Sequence, residues 1–255
     1  MESQALKPLE KIASLPRKRL PRELFFVGLS YVIYSQVRGL AADRSLDAFA
    51  NAYQVINLEE KLGVFRELSL QQFVISRGDL IDFFNLIYFY GLFPLLLPTA
   101  LWLYLRRPRI YDLARNAFLV SGAIAVCFYV LMPTAPPRLI GMGFLDTLGT
   151  SFTPAYGSIP GVNHYAAMPS MHVGWNFLLA IAIYLALEGS MLRFLVLALP
   201  LLMFTATVVT GNHYFLDGVL GICVAGTGLV LAAQLERRRD QQRQILAIQP
   251  VRNYD

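Results

Sequence analysis

Thr210-Gly211-Asn212-His213-Tyr214-Phe215-Leu216-Asp217 runs without a break into Gly218-Val219-Leu220-Gly221-Ile222-Cys223-Val224, an apolar stretch that continues to about residue 235. About 20 mostly apolar residues make a helix long enough to cross a bilayer. The segment therefore reads as a membrane span with a histidine and an aspartate at its mouth. Met168-Pro169-Ser170-Met171-His172 opens a second apolar window in the same way. Two distant spans thus begin with chemically competent side chains.

Working outward, windows of that size predict six spans, near 21–39, 80–104, 113–132, 169–187, 192–210 and 213–235. Gln36 and Arg38 make the first the least apolar. The whole chain, at 255 residues, is 56% hydrophobic and 15% charged, outside ordinary globular usage. The expected fold is all-α, a polytopic six-helix membrane bundle. A basic cytoplasmic N-terminus (1–20) and a basic cytoplasmic tail (236–255) flank a single 21–235 domain. Met1 to Arg22 has no short apolar core followed by a small-residue cleavage site, so the first span is expected to act as its own signal. Cys127 and Cys223 fall inside apolar windows and read as packing residues, with no redox role.

Lys and Arg set the orientation. With both termini cytoplasmic, sixteen of the 22 lie on the inner side, and six (Arg38, Arg44, Lys61, Arg66, Arg77 and Arg138) are spread over much longer outer segments. Arg138, His172 and His213 then all reach the outer face. The expected location is the plasma membrane with the site outside. Net charge of +5 matches an anionic inner leaflet and calls for no nucleic-acid partner.

Two outer segments stand over that face. Residues 133–167 carry Pro-Thr-Ala-Pro-Pro-Arg, several glycines, Asp146, His164 and Tyr165, and predict an ordered, turn-rich loop. Residues 43–75 place Leu46, Phe49, Tyr53 and Ile56 at helical steps, while Glu59, Glu60, Lys61 and Arg66 argue against a span. They predict either an interfacial helix across the outer mouth or a helix packed on the others with a solvated face.

Four residues along a helix put Asp217 on the His213 face, about 6 Å along the axis. A carboxylate deeper in the membrane needs a partner. Such a pair fixes the imidazole tautomer and leaves the other ring nitrogen free to attack phosphorus; it serves equally as a tether between helices. Ser170 adds a hydroxyl at a helix start that attracts anions, and His172 can pass protons there, although a lone interfacial histidine would look the same. Arg138 offers forked donors suited to phosphate oxygens, or else a headgroup anchor.

At Pro133-Thr134-Ala135-Pro136-Pro137-Arg138, Ala166-Ala167-Met168-Pro169-Ser170-Met171-His172 and Gly211-Asn212-His213-Tyr214-Phe215-Leu216-Asp217 the chain resembles the type 2 phosphatidic acid phosphatase superfamily, in particular its inositol phosphorylceramide synthase-like, inositolphosphotransferase branch. The resemblance implies a nucleophilic His213, an orienting Asp217, an acid–base His172, and Arg138 and Ser170 on the phosphate. Asn212, Tyr214 and His164 are further substrate-binding candidates. It implies no metal and no cofactor. Departures are visible: Ala206 and Thr207 stand where the phosphatases carry Ser-Arg upstream of the nucleophile, span three has no Lys, Leu139 follows Arg138, and Met171 replaces the usual Gly. These lean toward the synthase-like branch.

The expected activity is transfer of a phosphoryl group or phospho-headgroup from a lipid phosphoester, through a phosphohistidine, to water or a hydroxylated acceptor such as a polyol. The partners are then membrane lipids and that substrate. A lipid transporter or flippase is the alternative, although such proteins place polar groups near the midplane between matching halves. A metal-dependent hydrolase built on His164, His172, His213 and Asp217 matches no zinc spacing. A silent scaffold would have no need of both histidines and Asp217.

Overall fold

The computed structural model describes residues 21, 23–25, 27–30, 32, 44–148 and 164–248. Within them the chain forms α1 (Ser45–Leu62), α2 (Glu67–Ile75), α3 (Asp79–Tyr90), α4 (Phe93–Arg106), α5 (Pro108–Leu131), α6 (Met171–Ala186), α7 (Ala198–Val209, entered through the 3-10 helix Met191–Leu197) and α8 (Phe215–Ile248). One isolated parallel bridge, Thr134 to Ala166, is the sole β feature among the described residues.

Pro108–Leu131, Met191–Val209 and Phe215–Gln242 are each long and apolar enough to cross a membrane. α3 and α4, bent by 41° at a short break, pass the same test only together, as a broken span or a re-entrant loop. The bend has local causes. Pro94 occupies the first turn of α4, where it is tolerated, and a side chain at Gly91 would lie 2.9 Å from Met203 Cε of α7. α6 is apolar but only 16 residues long. Six spans were expected, and the described residues supply three or four by length and composition. Most of the 21–39 window lies outside them, as do residues 1–20, 149–163 of the outer loop and 249–255. The tail expected from 236 is at first a continuation of α8, which runs to Ile248.

α8 is the axis of the bundle, packed on both α5 and α6, with α6 also against α7. Small residues make this possible, as is common where apolar helices must approach closely. A Cβ on Gly221 would lie 2.2 Å from Ser170 O, and one on Gly174 would lie 2.5 Å from Gly221 O. Gly228 meets Ala117 O and Ser121 in the same manner. The α6–α8 crossing therefore has backbone against backbone at the level where both helices begin. Gly221→Val should separate them, lowering stability by about 1–3 kcal/mol with loss of activity; thermal unfolding of the detergent-solubilised protein measures it. Cys127 and Cys223 are free and exposed on the flanks of the bundle, not packed within it as the sequence suggested.

The 43–75 segment departs most from expectation. It forms two helices broken at Gly63, whose φ of 71° closes α1 with bonds back to Glu59 and Glu60. The buried face of α1 is Ala48, Ala52, Val55, Ile56 and Glu59, while Leu46 and Tyr53 point outward. α1 is pinned to the loops: Ala135 N donates to Ala48 O, and Asn51 Nδ2 to Pro133 O. Its apolar core is shared with Ala135, Ile140, Phe144, Met168 and Tyr214. The packed-helix alternative describes it, with carboxylates inside instead of on the solvated face.

Candidate active site

His213 stands at the end of a tight turn between α7 and α8. Gly211 takes φ 69°, the conformation that calls for glycine, and a side chain there would also press on Gln71 Nε2, 2.7 Å away. Gly211 O accepts from Arg138 N at 2.8 Å, and Thr207 O accepts from both Asn212 N and His213 N. Asn212 Nδ2 donates to Thr210 Oγ1 at 2.8 Å, completing the turn. The arginine and the histidine are thus tied together through the backbone.

His213 Nδ1 lies 2.8 Å from Ala167 O and 3.3 Å from Asp217 Oδ2. Both partners are acceptors, so Nδ1 carries the proton and Nε2 the lone pair. Asp217 is fully buried; its Oδ2 also accepts from Tyr214 N at 2.9 Å, the reciprocal half of a capping box. Its backbone O accepts from Ser170 N at 2.9 Å. One aspartate therefore orients the imidazole, caps α8 and fastens the start of α6.

His172 is in the first turn of α6, its ring centre 6.0 Å from that of His213. Tyr88 of α3 stacks on it at 4.6 Å and 28°. Arg138 sits in the 3-10 turn Pro137–Leu139, 8% exposed, with Nε 3.7 Å from Asp146 Oδ2. The bridge that joins Thr134 N to Tyr165 O, and Ala167 N to Thr134 O, draws the Arg138 and His172 loops together.

These side chains surround a cavity of about 470 Å³ lined by Tyr88, Tyr129, Arg138, His172 and His213 among others, with His164 and Asn212 also on its wall. All three histidines of the chain face it. Its remaining lining is mostly aromatic and apolar, including Phe89, Phe93 and Trp175, and reaches the bend between α3 and α4. Among the described residues no group of three or more His, Cys, Asp or Glu is arranged to hold a metal ion.

Other candidates are behind the wall. Ser170 is fully buried, gives α6 no side-chain cap, and its Oγ has no partner among the described residues. Tyr214 is fully buried and donates its hydroxyl to Ala135 O at 3.1 Å. Pro169 directly precedes Ser170, the cap of α6. The opening amides of α8 are also taken by carboxylates, Phe215 N by Glu67 Oε1 and Leu216 N by Glu59 Oε1, so a phosphate does not meet that helix end. Sequence reasoning missed Tyr88, Glu59 and Glu67. Tyr88 is one aromatic in Phe83-Phe84-Asn85-Leu86-Ile87-Tyr88-Phe89-Tyr90 with nothing to distinguish it, Glu59 counted only as one of the charges against a span, and nothing marked Glu67.

The fold resembles the crystal structure of LpxE from Aquifex aeolicus, with a TM-score of 0.51 and 17% identity over 68% of this chain and 94% of that one. No curated protein sequence matches the chain significantly. The PAP2 superfamily model matches residues 53–231, a stretch that holds α2 to α7, the second half of α1, the first half of α8, and every residue of the cavity wall named above. By that match, which takes in all three sequence motifs, the chain belongs to the PAP2 superfamily.

Proposed function

We propose that this protein is an integral-membrane lipid phosphatase or phosphotransferase that works through a phosphohistidine on His213. The observation that carries the reading is the His213 ring, its Nδ1 held by Ala167 O and Asp217 Oδ2 and its face 6.0 Å from His172 across an apolar-walled cavity. Nε2 of His213 attacks phosphorus, and a P–N bond forms as the P–O bond to the leaving alcohol breaks. His172, in its protonated form, gives that alcohol its proton. Water or a hydroxylated acceptor then gives its proton back to His172 and attacks phosphorus, releasing His213. The buried Asp217 carboxylate stabilises the positive ring while the intermediate lasts. No residue in this scheme is a metal ligand, and the chemistry assigns none.

Among the described residues, Arg138 is the sole Lys or Arg lining the cavity, and Asp146 stands beside it. A phosphomonoester brings close to two negative charges at neutral pH, a phosphodiester one. The charge balance therefore favours a lipid phosphodiester and the synthase-like branch, with a polyol as one acceptor to test. A flippase is disfavoured, because transport gives no use to a buried His–Asp pair facing a second histidine. The positive-inside count supports cytoplasmic termini and a site on the outer face, in the plasma membrane.

The experiment is to incubate purified protein with lipid phosphomonoesters and phosphodiesters, with and without inositol, and identify products. Free phosphate means phosphatase, a new phosphodiester means transfer, and no product from any lipid sinks the proposal. Arg138→Lys keeps the charge but loses the fork; it should lower kcat/KM about tenfold, and Arg138→Ala about 10²–10³-fold. Steady-state kinetics on the preferred lipid checks both.

A further inference from the structure

Three consecutive amides at the start of α8 end on carboxylates. Tyr214 N donates to Asp217 Oδ2, Phe215 N to Glu67 Oε1 at 3.0 Å and Leu216 N to Glu59 Oε1 at 2.7 Å. Glu59 and Glu67 come from 157 and 148 residues away along the chain, and both side chains are fully buried. Their other oxygens, Glu59 Oε2 and Glu67 Oε2, are also buried and accept from no N–H or O–H group among the described residues. Because Phe215 N and Leu216 N are adjacent amides of one turn, their bonds to Glu67 Oε1 and Glu59 Oε1 bring the two carboxyl groups side by side. Two carboxylate oxygens can bond only when one carries a proton.

We propose that Glu59 and Glu67 share one proton and together clamp the first turn of α8, as positioning residues that hold His213 in line with His172. The clamp rests on the reading of His213 as nucleophile. It fixes residues 214–216, which directly follow that ring, and Asp217, which orients it. A helix N-terminus favours negative charge, so a singly charged pair suits it. Two charges, with Asp217 beside them, would exceed what a buried site stabilises.

The titratable groups facing the pair are Asp217 and Tyr214 from the catalytic turn, with Tyr53 of α1 next to Tyr214. Lys61 and Arg66, on the same segment, are exposed. Burial, assisted by the bond to Glu67, pushes the Glu59 carboxyl up to about 9 from its ordinary 4.5. Because the folded state holds this proton more tightly than the unfolded chain, the clamp is complete at low pH and weakens as pH rises toward 9.

Two measurements test it. Hydrogen exchange of the 214–216 amides, read by mass spectrometry and corrected for intrinsic rate, should show protection at pH 7 that falls about tenfold or more above pH 9. In Glu59→Gln the amide reproduces the protonated carboxyl, so protection should persist at pH 9 and above. Turnover by Glu59→Gln at pH 7 should stay within about twofold of the parent, with the alkaline fall in kcat removed. Glu59→Leu should lose about 10–100-fold in kcat with KM little changed, while melting as a folded protein. Identical exchange and pH profiles in the parent and Glu59→Gln would overturn the clamp, as would full kcat in Glu59→Leu. If Glu59→Leu does not fold, the glutamine comparison decides alone. If exchange behaves as stated and no lipid phosphoester is turned over, the clamp stands and the assigned chemistry fails.

Discussion

His213→Ala will reduce lipid phosphoester turnover by about 10⁴-fold or more, because in the proposed mechanism it removes the atom that bonds to phosphorus, with no neighbour to replace it. His172 is already stacked on Tyr88, its ring centre 6.0 Å from that of His213, so it cannot take over attack while also serving as acid. The variant should still fold. Among the described residues His213 Nδ1 bonds Ala167 O and Asp217 Oδ2, and the turn itself is held by backbone bonds from Asn212 and His213 to Thr207 O. The measurement is kcat on the best lipid found for the parent protein, alongside a melting curve. Turnover within tenfold of the parent would remove His213 from the chemistry.

Asp217→Asn comes next in size, with an expected loss of about 10²–10⁴-fold in kcat. Asparagine nearly matches the shape but presents either a neutral oxygen or an NH₂ toward Nδ1. The ring then lacks a charge to stabilise its cation, and a flipped amide would favour the wrong tautomer. Asp217 also caps Tyr214 N at 2.9 Å, so a modest drop in melting temperature should accompany the kinetic loss. A structural tether predicts the reverse: lowered stability with kcat intact in the fraction that remains folded. Measuring both quantities on one preparation separates the two roles.

How legible this was in the sequence depends on what each residue does. The spans near 113–132, 192–210 and 213–235 were readable because lipid-facing helices must be apolar along their length, and α5, α7 with its 3-10 entrance, and α8 occupy those windows. The convergence of Arg138, His172 and His213 on one cavity was readable for a simpler reason: each sits at the same end of its span. What composition hides is direction. Glu59 looks like its neighbour Glu60, yet one is fully buried and the other faces outward. Of the stripe Leu46, Phe49, Tyr53 and Ile56 predicted for α1, Ile56 is buried but Leu46 and Tyr53 face outward, and the buried face is completed by Ala48, Ala52 and Val55, with Ala48 where the Ala135 loop meets the helix backbone. Tyr214, next to His213, read as a substrate contact; its hydroxyl is spent on Ala135 O. Ser170 likewise is absent from the cavity lining and lies where α6 and α8 touch through backbone. Such distinctions come from tertiary packing and leave no periodic trace in the chain.

The most direct measurement uses a lipid phosphoester labelled in phosphorus, with a leaving group good enough to depart without acid help. Mixed with the His172→Gln protein and quenched in alkali, in which phosphohistidine survives, it should leave label on the peptide that contains His213, formed at least as fast as the overall turnover. Sustained turnover with no label on protein, or label on any residue other than His213, would contradict the mechanism.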